Sequence, residues 1–122
     1  MRTPIGEMTL DGRVIVHRLD PEVVVTVADT VEVQRVTAEL ADGRPVAVVV
    51  DMRSMGYAGR EAREVFGDDP GGVEVATALL VSPAVSAGLA SLFSKFQAPD
   101  RPVQMFTDEE DAMEWARAQV AG

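Results

Sequence analysis

Val46-Ala47-Val48-Val49-Val50-Asp51 is a continuous apolar run closed by a carboxylate. No polar residue breaks it at alternate positions, so it suits a strand covered on both faces, as in a parallel sheet. Two further runs share its character. Residues 75–81 form a second buried strand, and Val103–Phe106 a third. Each of the three is followed by helix-start signals, and alternation of strand and helix implies parallel strands joined by right-handed crossovers.

The helices are read from what separates these strands. After Val46–Asp51, Ala58, Ala62, Val65 and Phe66 fall at i, i+4, i+7 and i+8, a short helix stopped by Gly67. Ser82-Pro83 reads as an N-cap with proline at the first helical position, and Val85, Leu89, Leu92 and Phe96 form that helix's core stripe. Pro99 and Pro102 bracket the next turn. Thr107-Asp108-Glu109-Glu110 reads as a capping box whose acids favour the helix dipole, and Ala112, Trp115, Ala116 and Gln119 line one face beyond it. Residues 27–41 are ambiguous: four valines favour strand, but Val33, Val36, Thr37 and Leu40 share a helical face. Thr26 supplies a cap and Gly43 a stop, so the segment is read as a helix.

Upstream, Asp11-Gly12 signals a hairpin between 7–10 and 13–19. Val14 and Val16 make one face of its second strand apolar, while Ile15 and His17 make the other mixed. Residues 23–25 read as a short strand by β-branching. The expected fold is one α/β domain over residues 1–122, a mixed four- to five-stranded sheet with four helices, in which 46–51, 75–81 and 102–106 are parallel and buried.

Composition excludes several function classes. The chain has 122 residues, enough for one core. Eleven basic side chains stand against 20 acidic ones, a net charge of −9, which argues against nucleic acid and anionic membranes as partners. Cysteine is absent, so disulfides and thiolate chemistry are excluded. The first twelve residues carry no apolar signal region, and no apolar run approaches the ~20 residues of a membrane span. The expected location is the cytoplasm, with no membrane insertion.

Three blocks resemble the SpoIIAA-like branch of the STAS superfamily and the bacterial proteins grouped as STAS/SEC14-like. They are Gly43-Arg44-Pro45 through Arg53 with the Arg60-Glu61-Ala62-Arg63 helix, Ala78-Leu79-Leu80-Val81-Ser82-Pro83 with its helix, and Pro102 through Trp115. The resemblance implies a SpoIIAA-like fold. It departs at one point: anti-sigma antagonists carry a phosphorylatable Asp-Ser-x-Gly segment about eight residues beyond the strand-ending Asp, where this chain has Gly59, Arg60, Glu61 and Ala62. The phospho-switch is therefore not carried over, and Ser54 lies too close to Asp51 to replace that serine.

His17 is the only histidine, with no nucleophile elbow near it and no ligand spacing around it; it reads as a half-exposed strand residue. Asp108 through Asp111 point to different sides of a helix and do not converge. No catalytic residue, metal site or cofactor is expected. Asp51, Ser82 and Thr107 fall at carboxyl ends of strands, where open α/β sheets meet their ligands. The expected function is a non-enzymatic STAS-like protein-interaction module, open to a regulatory role, whose unidentified protein partner docks on Arg53, Ser54, Tyr57 and Arg60. The alternative is a small-ligand or lipid-binding module of the SEC14-like kind, using Asp51, Ser82, Phe93 and Phe96. Phe93, off its helix's core stripe beside Ser86 and Ala90, points to a homodimer.

Overall fold

The computed structural model describes residues 1–21, 27–54, 74–83 and 102–121. Six strands form one mixed sheet in chain order: β1 (Arg2–Thr3), β2 (Gly6–Asp11), β3 (Val14–Leu19), β4 (Val46–Asp51), β5 (Glu74–Leu80) and β6 (Val103–Phe106). Two helices are described, α1 (Val27–Ala41) and α2 (Glu109–Val120). β1–β2 and β2–β3 pair antiparallel; β3–β4, β4–β5 and β5–β6 pair parallel.

This corrects the expected four- to five-stranded sheet with four helices. The sheet has six strands, and the described residues contain two helices. The unforeseen strand is β1. Its two residues pair Arg2 with Glu7 and Thr3 with Gly6 across a tight turn through Pro4, too short a span to show any periodicity. The helices expected over 58–66 and 83–96 and the strand expected over 23–25 lie largely or wholly outside the described residues, as do Tyr57, Arg60, Phe93 and Phe96.

β4 is buried along its whole length, as an apolar strand flanked by two parallel neighbours and covered on both faces must be. β6 departs from expectation: it is only half-buried, because it has β5 on one side and no described strand on the other. The hairpin turn also shifts by one residue. Asp11 pairs with Val14, so Gly12 and Arg13 are the central residues, and Gly12 supplies the positive φ of 64° that the turn needs.

The sheet separates two cores. On one face α1 packs Val33, Val36 and Ala41 with Met8, Ile15, Val48, Val50 and Leu79. On the other, Ala112 and Ala116 of α2 lie on Val14, Val16, Ala47, Val49, Ala78 and Leu80. The helix presents only alanines to the sheet there, which lets it sit close. Phe106 and Trp115 flank this contact with ring centroids 5.7 Å apart. Gln119, expected on the core face, is exposed; Met113 and Val120 take the flanking positions.

The N-cap of α2 is Asp108, not Thr107. The Asp108 carboxylate accepts from the Asp111 N–H at 3.1 Å. Asp108→Ala should cost about 1 kcal/mol by urea denaturation, whereas Thr107→Ala, at an exposed position before the cap, should be near neutral.

Candidate functional site

Alternation along β3 turns Val14, Val16 and Arg18 to the α2 face, and the same alternation in β4 turns Ala47, Val49 and Asp51 to it. The parallel register sets Arg18 beside Asp51 at the carboxyl ends of both strands. The chain then bends so that Arg53 folds back, while the first turn of α2 brings Glu109 over the same edge. These four residues form one ion-paired network. Arg18 Nη1 donates to Asp51 Oδ2 at 2.7 Å and to Glu109 Oε1 at 2.6 Å. Arg53 donates from Nε to Asp51 Oδ1 at 3.0 Å and from Nη2 to Asp51 Oδ2 at 2.9 Å, a bidentate fork. Arg53 Nη2 also reaches Glu109 Oε1 at 3.2 Å, and the Arg53 backbone N–H donates to Asp51 Oδ1 at 3.2 Å.

Two positive and two negative side chains balance, so the network is electrically neutral. Its parts are unequally buried: the Asp51 side chain is 10% exposed, against 50% for Arg18 and 41% for Arg53. Burial alone would raise the Asp51 carboxyl, but the hydrogen bonds from Arg53 and Arg18 outweigh it and hold the group below the ordinary carboxylate range. Glu109 is likewise held low, chiefly by the hydrogen bond from Arg18. Both guanidiniums are raised in turn, Arg18 chiefly through Glu109 and Arg53 chiefly through Asp51.

The network should be cooperative. Asp51→Asn should cost about 1–2 kcal/mol, less than a fully buried pair because both guanidiniums stay half in water. A double-mutant cycle of Asp51→Asn with Arg53→Met should give a coupling of roughly 1 kcal/mol. A coupling near zero would show four independent surface groups.

Of the residues singled out from sequence, Asp51 and Arg53 sit in this network. Ser54 is exposed one residue beyond it, and Ser82 is half-buried just past the carboxyl end of β5. Arg18 and Glu109 were not anticipated as site residues. Their signal was present but weak: Arg18 continues the Val14, Val16 face, and Glu109 reads equally well as helix-start chemistry.

His17 is corrected outright. It is 1% exposed, and its Nε2 lies 3.0 Å from Thr3 Oγ1. The Thr3 hydroxyl gives its one proton to the Gly6 carbonyl at 2.9 Å, so His17 is the donor and carries its proton on Nε2. The partner came from β1, the strand too short to be read. Burial lowers the imidazole to about 4, against the nearby Asp20 carboxylate, which favours its charged form.

Among the described residues no group of three His, Asp or Glu side chains could hold a metal. No helix among them is long and apolar enough to cross a membrane.

Fold and site together define an α/β protein with a mixed sheet and an ion-paired carboxyl edge. The chain belongs to the family described as Domain of unknown function (DUF7793), whose family model matches residues 8–119. A solved structure, a protein with unknown function from Arthrobacter sp. FB24, is similar at 29% identity over 90% of this chain and 97% of its own, with a TM-score of 0.38. No curated protein matches.

Proposed function

We propose that the chain is a non-enzymatic, STAS-like protein-interaction module that docks its partner on the carboxyl edge of the sheet, at Arg53, Ser54 and the connection that continues to Tyr57 and Arg60. One observation carries this reading: the Arg18 and Arg53 guanidiniums are fixed side by side by Asp51 and Glu109 while each remains about half exposed. Ordering a long charged side chain is a large part of the entropy of binding, and here it is already spent within the fold. A partner carboxylate or carbonyl can take the outward N–H groups of either arginine without reorganising them. The edge also lies where open α/β sheets meet their ligands. The lone imidazole supports the non-enzymatic reading, since His17 donates to Thr3 inside the core, away from this edge.

Docking is constitutive in this reading, because the chain lacks the phosphorylatable segment of the STAS regulators. The test is affinity capture from the native host with the wild type and with Arg53→Gln, Arg60→Gln, after matching their melting temperatures. A partner held stoichiometrically by the wild type and lost from the variant is the expected result. An unchanged set of partners would overturn it. So would native mass spectrometry that found an apolar small molecule bound to the purified chain, which would favour the ligand-binding alternative.

A further inference from the structure

β1 is an edge strand held almost wholly by polar contacts. It has β2 on one side and no described strand on the other. Residues 1–3 bury no large apolar side chain: Met1 and Arg2 are exposed, and only Thr3 is buried. Their ties are hydrogen bonds. The Met8 N–H donates to the Met1 carbonyl at 2.8 Å, Arg2 Nη1 donates to Asp20 Oδ1 at 2.9 Å, and the Thr3 hydroxyl meets Gly6 and His17. Just past β1 the chain is anchored. Ile5 is buried in the core, and its carbonyl accepts from the Asp20 N–H at 2.8 Å. A segment with little apolar burial, hinged on a fixed residue, opens at lower cost than the core strands.

What this segment covers is the imidazole. Thr3 occupies the Nε2 side of the buried His17 ring, so a second proton would go to Nδ1. The closed fold suits such a charge poorly. β2 and β4 set Met8 and Val50 beside the ring in register, and neither can pair with it. Arg2 opposes the charge; Asp20 favours it but is already bound to Arg2. α1 adds Asp29 and Glu32 at the same corner, where they line a recess with Arg2, Thr3 and Pro4. Lifting residues 1–3 changes this set. Arg2 leaves with the strand, water reaches Nε2, and Asp20 is left to pair with the imidazolium.

We infer that β1 is an acid-released strap: protonation of His17 frees residues 1–3 from the outer edge of β2, and Asp20 exchanges Arg2 for the imidazolium. Pro4 and Ile5 form the hinge, and the core beneath stays folded.

The test is amide hydrogen exchange of the full chain by NMR at pH 7 and pH 5, with each rate corrected for its intrinsic pH dependence. Met8 reports the strap, since its N–H is bonded to Met1, and Val49 in β4 reports the core. In the wild type Met8 should be about tenfold or more less protected than Val49 at both pH values. Its protection should fall roughly twentyfold between pH 7 and pH 5, as the open form takes the proton the closed form refuses. In His17→Gln, Met8 should remain less protected than Val49 but change less than about twofold with pH. Equal protection of Met8 and Val49 in the wild type would show that β1 opens only with the whole fold, and would overturn the inference without any variant. Met8 protection that holds at pH 5, or that falls as far in His17→Gln, would overturn it as well.

Discussion

Gly6→Ala is expected to melt roughly 10 °C or more below the wild type, a loss of about 3 kcal/mol. Gly6 pairs with Leu19 across β2 and β3 and with Thr3 across β1 and β2. A Cβ there would fall inside the Arg18 carbonyl oxygen and stand 2.9 Å from both the Arg18 carbonyl carbon and the Leu19 Cα. Those are backbone atoms, and a rotamer change cannot relieve the contact. Arg18 is in register with Asp51 of β4, so moving it aside disturbs the parallel ladder and the ion-paired edge together. Gly12→Ala is the contrasting case. Its Cβ meets nothing within 4 Å, and only the φ of 64° opposes it, so the cost should be nearer 1 kcal/mol. Thermal melts of the two variants distinguish a steric glycine from a conformational one; a Gly6→Ala melt within about 2 °C of the wild type would show that the strands do not meet this closely.

The second large effect is a loss of stability on mild acidification. His17 has an ordinary pKa of 6.5 and is lowered to about 4 in the folded chain. Below 6.5 the unfolded chain therefore takes a proton that the folded chain refuses, and unfolding gains ground as pH falls. The loss levels off near 4, where the folded imidazole protonates as well. A gap of that size corresponds to roughly 3 kcal/mol over the window. Asp20, Asp51 and Glu109 act in the same direction at lower pH. Their folded carboxyls are held down, chiefly by hydrogen bonds from Arg2 for Asp20 and from Arg18 for Glu109, and against burial for Asp51 by Arg53 and Arg18. Their contribution is present above the unfolded carboxyl range and disappears only as pH falls through their depressed folded values. Urea denaturation at pH 7, 5.5 and 4.5 should show the wild type losing stability steadily. His17→Gln, which keeps an N–H for Thr3 and cannot titrate, should be nearly flat over the same interval. Parallel curves for the two proteins would place the titration elsewhere.

What the sequence shows of this fold follows the range of each signal. The apolar run of β4 and the acids that open α2 announce themselves within a few residues, because burial on both faces and capping are local demands. The helix over Val27–Ala41 is legible from Val33, Val36 and Thr37, whose spacing outweighs their β-branching once the sheet covers that face. β1 is not legible, since two residues next to a proline carry no pattern. The misreading of His17 follows from that, because the hydroxyl that satisfies it belongs to β1. The ion-paired edge is harder still. Arg18 and Glu109 stand 91 residues apart and meet only when the register of β3 on β4 and the antiparallel course of α2 are both fixed. Each charge has an adequate local explanation, so nothing local asks for the other.

The most direct test of the carboxyl edge as the docking surface is site-specific photo-crosslinking in the native host. A photoreactive residue replaces Ser54, exposed beside Arg53, or Glu39, exposed on α1. A discrete adduct with one partner protein from position 54, and none from position 39, is the predicted result. No adduct from position 54, or the same adducts from both positions, would contradict the assignment of this edge.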